Sequence, residues 1–463
     1  MKAGKSGEST EGPLESLWRA LAGAPAPELD VRGSGPFLGS PLALDEVAVA
    51  AIGASLLAAA ELAEARGGCR PEPSLERAHA ALAFGSERQL RAEHPLGPGF
   101  APLSRFAATA DGHIRMHANY PHHRAALLHA LGDPPDERAA LAAVSLRASD
   151  ELEQAIVAAG GAAARVRSAS AWRAHPQGEA TIGLSPLDLE AGAAEAPPLP
   201  PPGPLPCSGL RVLDFTRVIA GPVGTRMLAA LGAEVLRIDA PQMPELELHV
   251  LDGMVGKRSA LLDLRTAAGR EALEELLRDA DVLVQGYRPG ALEAFGLDRK
   301  ALAAGHPHIV TVTLSAWGHV GPWSGRRGFD SLVQAACGIA LACGNSERPG
   351  ALPVQALDHA TGYLIAAAAL RGLSIRALEG RAAHARLALT RTADWIMGHP
   401  AEGSHAVADA DPAPYLVTVA SPSGALRCPA PPGSLDGRPL AWPRGVPTPG
   451  GDPPTWPSRS SAF

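Results

Sequence analysis

Across residues 209–362 short apolar runs alternate with helix-forming stretches, and that alternation leaves few folds open. Strands are expected at 210–215, 234–238, 281–284 and 309–314, and helices at 221–231, 267–278, 298–304 and 330–342. A strand followed by a helix, repeated, brings each strand back parallel to the last. The stretch ends on Gln355-Ala356-Leu357-Asp358-His359-Ala360-Thr361-Gly362, where an acid opens a long apolar helix.

The expected fold class is therefore α/β, with a Rossmann-like doubly wound parallel sheet. A proline block, Pro197-Pro198-Leu199-Pro200-Pro201-Pro202-Gly203-Pro204-Leu205-Pro206, precedes it. Such a run favours extended geometry and makes a semi-rigid spacer. The domain reading is 1–196, a linker at 197–207, a catalytic half at 208–399, and a proline- and glycine-rich extended tail at 400–463. In the first segment, 43–65 and 76–92 read as helical. A small α+β domain follows. Residues 106–119 form a hairpin around Ala110-Asp111-Gly112, Asp-Gly being a strong hairpin turn. Helices are expected at 121–131, 137–145 and 150–159. The tail offers at most a hairpin, 415–420 with 425–428, and is expected to drape over another surface. Ala43-Leu44-Asp45 and Ala356-Leu357-Asp358 each precede an apolar helix, a faint internal repeat.

The 463 residues are 46% apolar, enough for sizeable cores, yet only 4% aromatic, so Ala, Leu and Val carry the packing. A net charge of −7 argues against a nucleic-acid partner. Five cysteines without CxxC spacing read as free thiols of a reducing compartment, so the expected localisation is cytoplasmic. The longest charge-free apolar run, 47–60, falls short of the ~20 residues that span a bilayer, so no membrane partner is expected.

Chemistry concentrates in a few places. The first strand–helix turn, Thr216-Arg217-Val218-Ile219-Ala220-Gly221-Pro222-Val223-Gly224, suits a phosphate at a helix start. It is not GxGxxG, so the nicotinamide fingerprint is absent. Tyr287-Arg288-Pro289-Gly290 follows the third strand at the sheet's carboxyl edge, where an arginine suits phosphate. Ser315-Ala316-Trp317-Gly318-His319-Val320-Gly321-Pro322-Trp323 is a Gly/Trp loop of the kind that caps a site. Asp358, as a helix N-cap, accepts first-turn N–H bonds that favour its ionised form. An ionised carboxylate is a nucleophile toward a thioester. His117, His122 and His123 flank a proline turn without an acidic partner, so no metal site is expected.

These residues resemble the family III CoA-transferases, the group that includes formyl-CoA:oxalate and carnitine CoA-transferases. The matching landmarks are Gly209-Leu210-Arg211-Val212-Leu213-Asp214-Phe215-Thr216, Ala220-Gly221-Pro222, Leu231-Gly232-Ala233-Glu234-Val235, Lys257-Arg258-Ser259, Leu262-Asp263-Leu264, Tyr287-Arg288-Pro289-Gly290 and Gly328-Phe329-Asp330. Asp358 falls at the family's catalytic aspartate. Ala240, Ala294 and Gly286 depart from the formyl-CoA pattern. Phe106-Ala107-Ala108-Thr109-Ala110-Asp111-Gly112 and His175-Pro176-Gln177 resemble the family's small domain, which normally follows the aspartate and here precedes it. That order resembles a fused duplicate and makes Asp45 a relic.

The resemblance implies a CoA-transferase moving CoA between an acyl-CoA and a carboxylic acid. Asp358 would be the nucleophile, and Val218, Ala220, Arg265, Tyr287 and Arg288 the coenzyme A site. Coenzyme A is then substrate, with no permanently bound cofactor, and the expected assembly is an interlaced homodimer. Two alternatives stand beside it. An α-methylacyl-CoA racemase needs a second acid/base, usually the histidine of Gly-His-Asp, where this chain has Phe329. A catalytically silent CoA-binding or scaffold protein would fit the rearranged halves.

Overall fold

In the computed structural model the described residues are 11–401, 407–408 and 410–458. A seven-stranded sheet organises the molecule: β1 (Leu187–Glu195), β2 (Arg211–Phe215), β3 (Glu234–Asp239), β4 (Arg258–Leu261), β5 (Val282–Gln285), β6 (Val310–Ser315) and β7 (Arg381–Ala388). The spatial order is β1-β7-β6-β5-β2-β3-β4. β2 to β7 run parallel, and β1 closes one edge antiparallel to β7. The chain builds outward from β2 to β4, then crosses to β5 and builds the other way. Strand order thus reverses between β2 and β5, which opens a crevice beyond their carboxyl ends.

Every residue of β2 is buried, because helices cover both faces. Even the charge in its middle is paired. Asp214 accepts from Lys257 Nζ at 2.8 Å, and Lys257 also reaches Thr225 Oγ1 at 2.6 Å and the Pro222 carbonyl at 3.1 Å. This ties β2, the turn before β4 and the first crossover helix together beneath the crevice.

Two long helices form the core beside the sheet. α1 (Leu44–Ala65) lies along α2 (Ala356–Glu379), and both are buried through most of their length. α1 is long and apolar enough to cross a membrane, but here it is sealed into the core. The repeat seen in sequence is structural. α1 leads to a strand, Pro73–Glu76, and a helix, Arg77–Ala83, while α2 leads to β7 and a helix, Leu389–Met397. Alanine is the commonest buried residue of both helices, and small side chains let backbones approach.

The proline block does not divide two bodies. It leads from β1 to β2 inside one sheet, and Arg66 at the end of α1 donates to the carbonyls of Pro206 (2.6 Å), Pro200 (2.9 Å) and Pro201 (2.8 Å). A domain boundary expected at 197–207 therefore falls within a single packed unit. The small α+β layer holds a three-stranded sheet, Phe106–Thr109, Gly112–His117 and Ala162–Arg165, covered by Pro121–Ala130, Glu137–Ser145 and Ser149–Ala158.

Other expectations change in detail. The helix expected at 330–342 breaks at Gly338, whose φ of +99° suits glycine and where a Cβ would sit 2.5 Å from the Ala169 nitrogen. The helix expected at 76–92 is instead the strand Pro73–Glu76 and two short helices, Arg77–Ala83 and Ser86–Gln89. β1, β4 and β7 have no counterpart among the expected strands. The tail forms the hairpin Leu416–Ser421 with Gly424–Pro429, then pairs Ser434 with Ser74 and seats Trp456 on the Leu276 carbonyl at 3.0 Å. It drapes over its own chain.

Candidate active site

The crevice beyond β2 and β5 deepens into a cavity of about 440 Å³. Its walls include all six residues singled out in sequence, namely Val218, Ala220, Arg265, Tyr287, Arg288 and Asp358. They come from loops after β2, β4 and β5 and from the first turn of α2. The small α+β layer adds Tyr120, His122 and His123, and the segment before Asp330 adds Arg326, Arg327, Gly328 and Phe329.

Asp358 is not a helix N-cap, as the sequence had suggested. Gln355 precedes the helix, and Asp358 lies inside the first turn. The capping acid is Asp330. Its Oδ2 accepts the backbone N–H groups of Leu357 at 2.8 Å and Asp358 at 3.1 Å, and its Oδ1 accepts from Gln334 Nε2. The expected ionisation is reversed with it. Burial raises the Asp358 carboxyl well above the ordinary aspartate range, and the charges of Asp330 and Glu87 raise it further. Asp330 itself is pushed up to about 6, chiefly by burial, with its N–H donors pulling the other way.

Glu87, from the short helix Ser86–Gln89, reaches the site through His359 Nε2 at 2.9 Å. It was missed in sequence, where 76–92 offered only a helical pattern. Asp45 has a different setting. Its carboxylate takes the N–H groups of Phe37 at 2.8 Å and Leu38 at 3.0 Å, so its own loop occupies it.

The turn after β2 is strained. Val218 has φ of +67°, an outlier for a β-branched residue. Its N–H donates to Glu245 Oε2 at 3.1 Å. Burial alone would raise the Glu245 carboxyl, but Arg217, Arg237 and Tyr120 bring it down to about 2. This anchored acid holds the turn in the conformation that starts the next helix at Ala220. Strain at a cavity wall is the setting in which a backbone conformation serves a ligand.

Cations ring the outer cavity. Arg265 pairs with Asp263 at 2.7 Å. Arg288, Arg326 and Arg327 have no carboxylate in ion-pair contact among the described residues. Arg288 makes one long bond to the Gly325 carbonyl, 3.4 Å, and Arg326 stacks over the Trp323 ring at 4.2 Å. Such a rim is made for an anion. Arg326 and Arg327 had no sequence signal beyond a basic pair in a loop.

The Gly/Trp loop serves mainly as a weld. Trp317 and Trp323 are buried against Trp172, and Gln177 Nε2 donates to the carbonyls of Trp317 (2.7 Å) and Val320 (2.9 Å). Only its first residues, Ser315 and Ala316, line the cavity. His117 stacks on Phe329 with ring centroids 3.7 Å apart, and His122 and His123 stand beside them.

Comparison with known proteins places this arrangement. Residues 207–430 match the model of CoA-transferase family III. A fatty acyl-CoA transferase described as probable, from Mycobacterium tuberculosis, is 34% identical over 189 residues, which is 38% of this chain and 48% of that protein. A formyl-CoA:oxalate CoA-transferase of Escherichia coli is 32% identical over 189 residues, 38% of this chain and 45% of that one. A crystal structure of Rv3272 from M. tuberculosis is 34% identical over 42% of this chain and 55% of that chain, with a TM-score of 0.39. The chain spans about half the length of the first two, curated relatives. The resemblance read from the motifs is thereby borne out over residues 207–430, which match the model of that family.

Proposed function

We propose that this protein is a CoA-transferase that moves CoA between an acyl-CoA and a carboxylic acid through Asp358. One observation carries the reading. Asp358 is a buried carboxylate in the wall of a cavity whose outer rim holds arginines without an ion-paired carboxylate among the described residues. The rim suits the phosphates of CoA, and the Rossmann-like crevice leads the thioester inward to the carboxylate. Val218, Ala220, Arg265, Tyr287 and Arg288 would contact the nucleotide and pantetheine portions.

The chemistry balances through one carboxylate. An Asp358 oxygen attacks the thioester carbonyl, the C–S bond breaks, and an acyl–aspartyl anhydride and CoA thiolate result. The thiolate attacks the aspartyl carbonyl, which releases the acyl group as its carboxylate and leaves an aspartyl-CoA thioester. The acceptor carboxylate attacks that thioester and expels CoA thiolate. The thiolate then takes the acceptor acyl group from the new anhydride and returns Asp358 as a carboxylate. Two half-reactions through a covalent enzyme give ping-pong kinetics or a close variant.

The raised pKa of Asp358 fits this role. A carboxylate that is costly to keep buried is destabilised before attack, and its charge is dispersed when the anhydride forms. Phe329 supplies no proton, so the racemase alternative lacks a base at that position. The test is mass spectrometry of the protein after incubation with a panel of acyl-CoAs. A CoA adduct mapped to Asp358, absent from Asp358→Asn, is expected. Turnover without dependence on Asp358 would overturn the reading.

A further inference from the structure

His123 is out of keeping with its surroundings. Its side chain is buried, 3% exposed, and lines the cavity that holds Asp358. Neither Nδ1 nor Nε2 has a hydrogen-bond partner among the described residues. Its neighbours are rings: His122 at 4.1 Å, Phe329 and Tyr120 each at 5.6 Å edge-on, and His117 at 6.0 Å. The Tyr120 hydroxyl is already committed to Glu245 Oε1 at 2.6 Å. Buried polar atoms are nearly always satisfied, and an exception on a cavity wall marks a place where a ligand completes the bonds.

The electrostatics fix the form of the ring. Burial lowers the basicity of His123, and the nearby His122 and Arg327 lower it further, to about 3. At neutral pH the imidazole therefore offers one N–H donor and one lone pair. Its position fixes which part of the ligand it meets. His123 stands one ring away from Phe329, and the next residue, Asp330, holds the N–H of Asp358. That puts the ring beside the reacting end of the cavity, with Arg327 of the rim also near it.

We propose that His123 selects an acyl group bearing a hydroxyl, forming a hydrogen bond with it through one ring nitrogen, so that the substrate class is hydroxyacyl-CoA and the matching hydroxy acids. The inference rests on the CoA-transferase reading and names the substrate of that same site. A hydroxyl satisfies one ring nitrogen, donating or accepting according to the tautomer, and leaves the other to a water. A plain alkyl chain leaves that nitrogen unmet, and a site built around a polar group discriminates strongly against the analogue that lacks it.

The test uses the full chain carrying Asp358→Asn, so that bound thioesters stay intact. Equilibrium binding is measured for butyryl-CoA, 2-hydroxybutyryl-CoA and 3-hydroxybutyryl-CoA. At least one hydroxy ester is expected to bind about tenfold or more tightly than butyryl-CoA. Adding His123→Phe, which keeps a planar ring, should bring that ratio to about one. His123→Gln, which keeps a donor and an acceptor, should restore part of it and guards against a folding defect in the phenylalanine variant. Equal affinity for all three esters overturns the proposal, as does a preference that His123→Phe leaves intact. Equal weakening of all three by His123→Phe also overturns it, since the ring would then serve the pantetheine arm. Failure of every ester to bind overturns the CoA reading itself.

Discussion

The backbone N–H of Asp358 points at the carboxylate of Asp330, 3.1 Å away, so two buried acids meet at one helix start. Asp330 does the capping, which leaves the Asp358 carboxylate free to face the cavity. Both acids hold their protons more tightly in the folded state than an ordinary aspartate does.

That arrangement fixes a pH dependence of stability. An acid whose folded-state pKa is raised contributes stability fully below the unfolded value, near 3.9, and loses it as pH rises through the folded value. For Asp330 that loss runs from about pH 4 through about pH 6, and for Asp358 it begins at the same start and continues as pH rises. Asp358→Asn cannot ionise, so it should match the wild type near pH 4 and exceed it at pH 8. Denaturant unfolding at the two pH values measures this. A variant less stable than wild type at pH 8 would show that the ionised carboxylate holds the fold together. Transferase turnover should be lost in the same protein.

Glu87 gives a kinetic counterpart. Its charge raises the Asp358 carboxyl, and it acts from beside His359 without lining the cavity. Glu87→Gln removes that charge, so Asp358 should ionise at lower pH. The acid limb of the pH profile for single-turnover adduct formation should move down, with the plateau rate at high pH little changed. An unmoved limb would mean that burial and Asp330 set the ionisation without Glu87.

One turn below Asp358, Gly362 meets the crossover helix Ala220–Ala230 at closest approach. A Cβ on Gly362 would lie 2.6 Å from the Ala220 carbonyl oxygen and 2.7 Å from Val223 Cβ. Backbone cannot yield as a side chain does. Gly362→Ala should therefore cost about 1–3 kcal/mol and push α2 from the turn that carries Val218 and Ala220. Adduct formation should fall further than the lost stability explains, because Asp358 and Ala220 line one cavity. A fully active, equally stable variant would show that the helices have room to separate.

Arg288 should report on the anion at the rim. It has no acid partner among the described residues and is exposed. Arg288→Ala should raise the KM for acyl-CoA several-fold while kcat holds, and the difference should shrink at high salt as screening grows. A drop in kcat with unchanged KM would place Arg288 at the reacting end instead.

What the sequence reveals follows from range. β2, β3, β5 and β6 are short apolar runs buried on both faces, and a local pattern is enough to find them. β7, Arg-Ala-Ala-His-Ala-Arg-Leu-Ala, mixes alanine with charge and reads as neither strand nor helix. β1 is a half-exposed edge strand with acids, so its polarity hides it. Val218, Ala220, Arg265, Tyr287, Arg288 and Asp358 came from ordered family motifs, and their meeting in one cavity follows from the parallel sheet. The cap from Asp330 to Asp358 spans a loop that no periodicity describes. His123 looked like a turn residue after a proline, and only tertiary packing against Phe329 buries it.

The last expectation concerns the two halves. α1 lies along α2, Glu61 pairs with Arg371, and Glu87 reaches His359, the neighbour of the proposed nucleophile. β1 supplies the edge of the main sheet beside β7, and Ser74 pairs with Ser434 of the tail. A fragment of residues 208–463 would lose all of these at once. It would expose the α1-facing side of α2, rich in alanine and leucine, together with the unpaired edge of β7. Apolar patches of that size and open strand edges both promote association. The fragment alone should be insoluble or inactive, and supplying residues 1–207 in trans should restore part of its solubility, as read by size-exclusion chromatography. A soluble, active 208–463 fragment would show that the packing of α1 on α2 is dispensable and that the first half is an appendage.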